Sequence, residues 1–262
     1  MTTPTQDQIF HRTELLLGKD AMQRIRGAKI IIFGVGGVGS WAAEALVRTG
    51  FMHLTIVDSD VVCATNVNRQ LQATFHNVGK PKVDELKTRL LAINPEADIK
   101  AFKEFYDEGT SGEFDVSKYD YVLDAIDSLK SKILLIKKSL EAGVKLYSSM
   151  GAGVKLDPTQ IRTVPISKTK NCPLARVVRQ RLRKENIQGE FMCVYSEELP
   201  VENKGRTFCG SKVCACPDKD EENLCMAKAK INGTLVHITA PFGFTLAGLV
   251  IQDIARGNST SV

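Results

Sequence analysis

The sequence predicts an α/β protein: a mostly parallel central sheet, helices on both of its faces, and a C-terminal extension with a flap. Three observations carry that reading. Short apolar runs alternate with helical patterns from residue 29 to about residue 150. The first run stops at a cluster of glycines that leads directly into a helical pattern. The chain has 262 residues, 43% of them hydrophobic and 25% charged, which suits one large α/β domain or two small ones with a full core. That composition excludes a disordered chain, a collagen-like repeat and a coiled coil.

The elements follow in order. Residues 1–28 form an N-terminal helical segment. Lys29–Phe33 is a strand, Val38–Thr49 a helix and His53–Asp58 the next strand. Pro81–Ile93 is an amphipathic helix with proline in its first turn. Ile99–Phe102 and Tyr119–Asp124 are strands, Ser128–Ala142 a helix and Val144–Ser149 a fifth strand. This rhythm implies right-handed parallel crossovers. In the second half, Ile161–Pro165 and Phe191–Ser196 read as strands and Leu174–Lys184 as a helix. Residues 197–226 are polar, cysteine-containing and aperiodic, the flap. Thr234–Ile238 reads as a short β-rich strand, with Pro241 opening a helix that runs to about Arg256. The boundaries expected are one domain over 1–262, with a nucleotide-binding half at 29–150 and a substrate and dimer half at 151–262.

Several function classes drop out. The N-terminus is polar and lacks a secretory pattern, which predicts a cytoplasmic protein. Thr234 to Ile251 is 18 residues without formal charge, long enough to be flagged as a membrane span, but Pro241 divides it and a core strand and helix explain it better. Seven cysteines exclude a complete disulfide framework. Cys63, Cys172 and Cys193 read as small packing residues. Cys209, Cys214, Cys216 and Cys225 in or beside the flap have C-x4-C-x-C-x8-C spacing, which is no standard zinc ribbon. The net charge of +5 is mild, so its distribution matters more than its size.

The strongest motif is Gly34-Val-Gly36-Gly37-Val-Gly39, between a strand and a helix. Glycines allow a tight turn and close approach to phosphate or ribose, and the free N–H groups of a helix start favour an anion. Asp58, 19 residues after Gly39, ends the second strand, where a carboxylate can accept both ribose hydroxyls. Taken alone, this much fits an NAD-dependent dehydrogenase equally well. The continuation fits ATP better. Asp60, Asn66, Arg69 and Lys82 follow closely, and two cations here suit β- and γ-phosphate oxygens. Asp124-Ala-Ile-Asp127, at another strand's end, can place a carboxylate for Mg²⁺.

These residues resemble the adenylation site of the ubiquitin-activating-enzyme superfamily, the ThiF/MoeB type, a Rossmann-like fold. The resemblance covers Gly34–Gly39, Asp58, Asp60, Asn66, Arg69, Lys82 and Asp127, and extends to Phe10-His-Arg12 with Leu17-Gly18. It implies ATP held by Gly34, Gly36, Gly37, Gly39, Asp58, Asp60, Asn66, Arg69, Lys82 and Asp127. It further implies Mg²⁺ reached by Asp127 through the nucleotide, an acyl-adenylate, and a homodimer in which Arg12 reaches the other subunit's ATP. Arg12, Arg69, Lys82 and Asp127 are the catalytic candidates.

Within the superfamily, most members that activate a ubiquitin-like protein hold zinc through two CxxC pairs, and this chain has none. Activation of a ubiquitin-like or sulfur-carrier protein remains the alternative reading. Other segments are similar to the tRNA threonylcarbamoyladenosine dehydratase family: Trp41-Ala-Ala-Glu-Ala-Leu, Asp157-Pro-Thr-Gln-Ile, Lys168-Thr, Pro173-Leu-Ala, Cys193-Val-Tyr-Ser-Glu and Phe242-Gly-Phe. That resemblance implies adenylation of the modification's carboxylate beside the anticodon, then ring closure with release of AMP. It also brings into view a monovalent cation (Na⁺ or K⁺) and a cysteine-desulfurase sulfur-acceptor system. Family members often carry a reactive cysteine late in the chain. Lys228 aligns with it, and Cys225, the nearest thiol, is the further catalytic candidate that the resemblance implies. The residues themselves agree on the partner. Lys168–Lys184 holds seven Lys or Arg and no acid. Arg176, Arg179 and Arg183 share one helical face by spacing, and with Lys168 and Lys170 they form an expected tRNA-binding stripe.

Overall fold

The structure, a computed structural model, describes residues 4–205 and 231–257. The chain opens with three short helices, α1 (Gln6–Ile9), α2 (His11–Leu17) and α3 (Lys19–Gly27). The alternation follows: β1 (Lys29–Phe33), α4 (Gly39–Thr49), β2 (His53–Val57), α5 (Lys82–Ile93), β3 (Asp98–Phe102), β4 (Tyr121–Asp124), α6 (Leu129–Glu141) and β5 (Lys145–Ser149). The second half adds β6 (Ile161–Pro165), α7 (Pro173–Lys184), β7 (Met192–Ser196) and the 20-residue α8 (Val236–Ala255).

The seven strands form one sheet in the order β3-β2-β1-β4-β5-β7-β6. All neighbouring pairs are parallel except β6 with β7, which close the far edge as an antiparallel pair. The order reverses between β1 and β4, so the crevice outside the carboxyl ends of β1, β2 and β4 is the switch point where such sheets bind ligands. Strand β1 shows why both faces are covered. Ile30 and Ile32 point into a core shared with Leu46, Phe242 and Leu246, while Ile31 and Phe33 point into a second core with Val122, Ile136 and Val178. Period-2 alternation sends apolar residues to both sides, and helices bury each side.

The expected strands and helices are present with ends moved by up to two residues, with one exception, while residues 206–226 of the expected flap lie outside the described residues. Thr234–Ile238 is not a strand: residues 231–235 are coil and a single helix starts at Val236. Five residues, three of them apolar, carry no period that separates a strand from a buried helix. Ile238, Phe242, Leu246 and Val250 are fully buried at helical spacing, and that burial decides the outcome. Pro241 lies inside the helix rather than at its start. Its missing N–H forfeits one backbone hydrogen bond, which the packing outweighs. This helix alone among the described residues has the length and apolarity to cross a membrane. Its buried stripe belongs to the core.

Helix α8 crosses α4 at Gly243, where a Cβ would lie 2.4 Å from the Val38 carbonyl oxygen and 2.8 Å from the Trp41 Cβ. A Cβ on Gly248, five residues along the same helix, would meet nothing within 4 Å. Gly243→Ala should therefore destabilise by about 1–3 kcal/mol through overpacking. Gly248→Ala should be neutral or stabilising by up to ~1 kcal/mol through helix propensity. Thermal unfolding of the two variants checks the crossing, and equal midpoints would contradict it.

Candidate active site

The glycine turn joins β1 to α4, and its glycines do different things. Gly34 has φ +85°, and a Cβ there would stand 2.7 Å from the Ala125 carbonyl oxygen. A Cβ on Gly39 would stand 1.9 Å from the Gly34 carbonyl oxygen. Both are required by backbone packing. Gly36 and Gly37 are half-buried and meet side chains rather than backbone: the nearest atoms to their missing Cβ positions are Gln70 Nε2 at 3.6 Å and Thr239 at 3.3 Å. The Ser40 hydroxyl donates to the Gly36 carbonyl at 2.6 Å and fixes the helix start.

Asp58, just past β2, is held by its acceptor oxygens. The backbone N–H of Val35 donates to Oδ2 at 2.8 Å, and that of Asp60 to Oδ1 at 2.9 Å. Burial pushes its carboxyl above the ordinary carboxylate range, against the opposing pull of Lys82. Lys82, the first residue of α5, is 5% exposed. Its ammonium donates to Asp60 Oδ2 at 2.6 Å and lies 3.9 Å from Asp58 Oδ1. The loop between them is folded back by backbone bonds from Val62 to Lys80 and from Gly79 to Val62, so two residues distant in sequence meet.

Arg69 enters from the same loop. Its guanidinium donates to the Thr65 carbonyl at 2.8 Å and to Asn68 Oδ1 at 3.0 Å. The Trp41 indole N–H donates to the Arg69 carbonyl at 3.0 Å, and the Asn68 amide to the Thr234 carbonyl at 2.8 Å. Arg69 is thus pinned between α4 and the approach to α8, and its Cδ lies 3.4 Å from the Cβ position of Gly37. Asn66 has a local duty: its side-chain carbonyl accepts from the Cys63 N–H, and its backbone carbonyl accepts from that of Arg69. Two buried atoms beside the turn, Gln70 Oε1 and Thr239 Oγ1, have no hydrogen-bond partner among the described residues. A cradle with glycines, two cations and spare polar groups fits a polyanionic nucleotide.

Asp127 is exposed in the short loop between β4 and α6. Its companion Asp124 is different: wholly buried, it is bound by Lys132, Ser148 and the Ile126 N–H. Of the two carboxylates in that motif, Asp127 alone is placed to meet a ligand. Among the described residues no group of three metal-ligating side chains stands together. A Mg²⁺ here would take its remaining ligands from phosphates and water, which is how that ion is commonly held. Lys132 and Ser148 were not singled out from sequence. The available signal was a lysine between Leu129 and Ile136 on the apolar stripe of a helix.

Arg12 is exposed on α2, outside this cluster, beside Leu15 and Leu16, which are 72% and 83% exposed. The basic stripe needs one correction. Lys168, Lys170, Arg176 and Arg183 are exposed. Arg179 instead turns its guanidinium onto the carbonyls of Ile166 and Thr169 and the Thr169 hydroxyl, tying α7 to the preceding turn. Helical spacing told which arginines share a side, not that a turn covers part of it. Helix α7 starts near the carboxyl end of β5, since a Cβ on Gly151 would lie 3.7 Å from the Leu174 Cβ. Cys172 and Cys193 are buried, as packing residues are, and Cys63 is half-buried against the Thr65 hydroxyl. Cys209, Cys214, Cys216 and Cys225, with Lys228, lie outside the described residues.

Comparison with known proteins agrees with this geometry. The model of the ThiF family matches residues 10–256. A tRNA threonylcarbamoyladenosine dehydratase of Bacillus subtilis (strain 168) is 46% identical over 192 residues, 73% of this chain and 76% of that one. The crystal structure of the E. coli tRNA N6-threonylcarbamoyladenosine dehydratase TcdA in complex with ATP superposes with a TM-score of 0.81 at 33% identity, covering 97% of both chains. Its complex with AMP gives 0.83, again at 33% identity and 97% of both. By its sheet order, by the residues gathered at its glycine turn and by likeness along nearly its whole length, this chain belongs to the ThiF family, in the branch of the tRNA threonylcarbamoyladenosine dehydratases.

Proposed function

We propose that this protein dehydrates threonylcarbamoyladenosine in tRNA, next to the anticodon, at the expense of ATP. The observation that carries the reading is the meeting of Gly36, Gly37, Asp58, Arg69, Lys82 and Asp127 at the carboxyl ends of β1, β2 and β4. In the reaction, the threonyl carboxylate attacks the α-phosphorus of ATP and pyrophosphate leaves. The acyl-adenylate is then attacked from within the modification itself, which loses a proton, closes a ring and expels AMP. One carboxylate oxygen departs with AMP, so the net change in the nucleoside is loss of water.

Each residue has a task in that sequence. Asp58, its carboxylate oriented by two backbone N–H groups, receives the ribose hydroxyls. Gly36 and Gly37 let the phosphates approach the start of α4. Arg69 and Lys82 neutralise the charge that grows on the phosphates as pyrophosphate leaves. Asp127 would hold a Mg²⁺ that neutralises phosphate charge. Arg69→Ala and Asp127→Ala should each lower kcat for AMP release in the presence of modified tRNA by about 100-fold or more, with little change in the unfolding midpoint. Near wild-type turnover in either variant would contradict the role.

The active form is a homodimer of the cytoplasm in which Arg12 acts across the interface. The exposed Leu15 and Leu16 beside Arg12 support burial of α2 by a partner. Arg12→Ala chains mixed with Asp127→Ala chains should recover about a quarter of wild-type turnover, because half of randomly assorted dimers are hybrids with one intact site. No recovery after verified subunit exchange would count against it.

Phosphates of the tRNA backbone dock on Lys168, Lys170, Arg176 and Arg183. Replacing Arg176 and Arg183 with Gln should weaken tRNA binding and flatten its dependence on salt by roughly two phosphate contacts, leaving ATP affinity unchanged. Arg179 is spared because its substitution would also loosen the turn at 166–169. Filter binding across a salt series reads the slope. An unchanged slope would move the tRNA contact elsewhere.

A further inference from the structure

A charged group that the reaction does not touch lies directly behind the site. Lys132 and Asp124 are both 0% exposed, and their ammonium and carboxylate meet at 2.7 Å. The Ser148 hydroxyl donates to the same Asp124 oxygen, Oδ2, at 2.6 Å. Lys132 also donates to the Ser149 carbonyl at 3.0 Å and lies 3.5 Å from the Ser148 hydroxyl. The other carboxylate oxygen, Oδ1, accepts the N–H of Ile126 at 3.1 Å. All three ammonium protons and both carboxylate oxygens of the pair thereby have partners. Buried ion pairs are weak contributors to stability when compared with apolar residues of similar volume, so stability alone does not explain one here.

Its location does. The pair joins the carboxyl ends of β4 and β5 to the first turns of α6, and through Ile126 it sets the course of the loop 125–127. That loop is tied on its other side to the glycine strand: the Ala125 N–H donates to the Phe33 carbonyl, and the Ala125 carbonyl oxygen lies against Gly34. Asp127 is the next residue after Ile126. We propose that Lys132 is a positioning residue: by fixing the Asp124 carboxylate as an acceptor for the Ile126 N–H, it holds the Asp127 carboxylate where a Mg²⁺ bound to ATP phosphates can use it. The inference rests on the ATP-site reading above and adds the group that orients its metal-facing carboxylate.

Substitution can separate the charge pair from its packing. Lys132→Met leaves a buried carboxylate without its cation, which should pull Asp124 off Ile126 or lower stability outright. Two double variants keep the question answerable. Lys132→Met with Asp124→Asn is neutral and retains a side-chain oxygen for Ile126. Lys132→Met with Asp124→Leu is neutral and well packed but offers no acceptor. Both should restore most of the unfolding midpoint lost by the single variant.

The test is calorimetric titration of the full-length variants with ATP, with and without Mg²⁺, which needs no tRNA. In wild type, Mg²⁺ should tighten ATP binding. The Asn double variant should keep most of that gain. The Leu double variant should lose it, about tenfold or more, while metal-free ATP affinity stays at the wild-type value because Asp58 and the glycine turn are untouched. A Leu double variant with the wild-type Mg²⁺ gain would show that the pair only fills space, and would overturn the proposal while leaving the ATP site standing. Wild-type protein that binds no ATP would overturn the site reading and this inference with it.

Discussion

A side-chain carbon on Gly39 would stand 1.9 Å from the Gly34 carbonyl oxygen, and one on Gly34 would stand 2.7 Å from that of Ala125. No L side chain can satisfy those two distances, so the backbones of β1, α4 and the loop after β4 close on one another only because both residues are glycine. Much of the site follows from that closure. It aims the start of α4 at the crevice. It brings the β4 loop, and with it Asp127, beside the turn. It leaves Gly36 and Gly37 as a half-buried lip. Gly243 repeats the device one layer out, seating α8 on α4 so that Thr239 reaches Gly37.

The charges are arranged around that lip by backbone rather than by other side chains alone. Asp58 is oriented by two N–H groups, and Arg69 is held through the carbonyls and amides of its own loop and through Trp41. Groups fixed in this way need little reorganisation when charge moves during nucleotidyl transfer, the condition under which electrostatic stabilisation is most effective. Lys82 sits between Asp58 and Asp60, so a cation meant for phosphate is held in place by two carboxylates.

What could be read from the sequence was what is local. The glycine turn, Asp58 at the end of a strand and the order of strand and helix all depend on spacings within a few tens of residues. The nearness of Arg69 and Lys82 to that turn was legible as a motif, although the back-folded loop that achieves it was not. Residues whose meaning depends on a third element were missed or misread. Lys132 carried no signal of its own within its helix, because Ser148 and Asp124 reach it from two strands. Arg179 shared a face with Arg176 and Arg183 by angle, yet the turn at 166–169 takes it. The five residues from Thr234 are too few to show a period, so their helical continuation was decided by burial against α4.

The central claim is that the glycine turn and its charges serve an intramolecular dehydration on tRNA. Purified protein incubated with ATP, Mg²⁺ and tRNA carrying linear threonylcarbamoyladenosine tests it most directly, followed by digestion and mass analysis of the nucleosides alongside AMP. The account predicts that the modified nucleoside becomes lighter by one water, with one AMP formed for each. An unchanged nucleoside, in a preparation that forms AMP only when given the C-terminus of a small carrier protein, would contradict it.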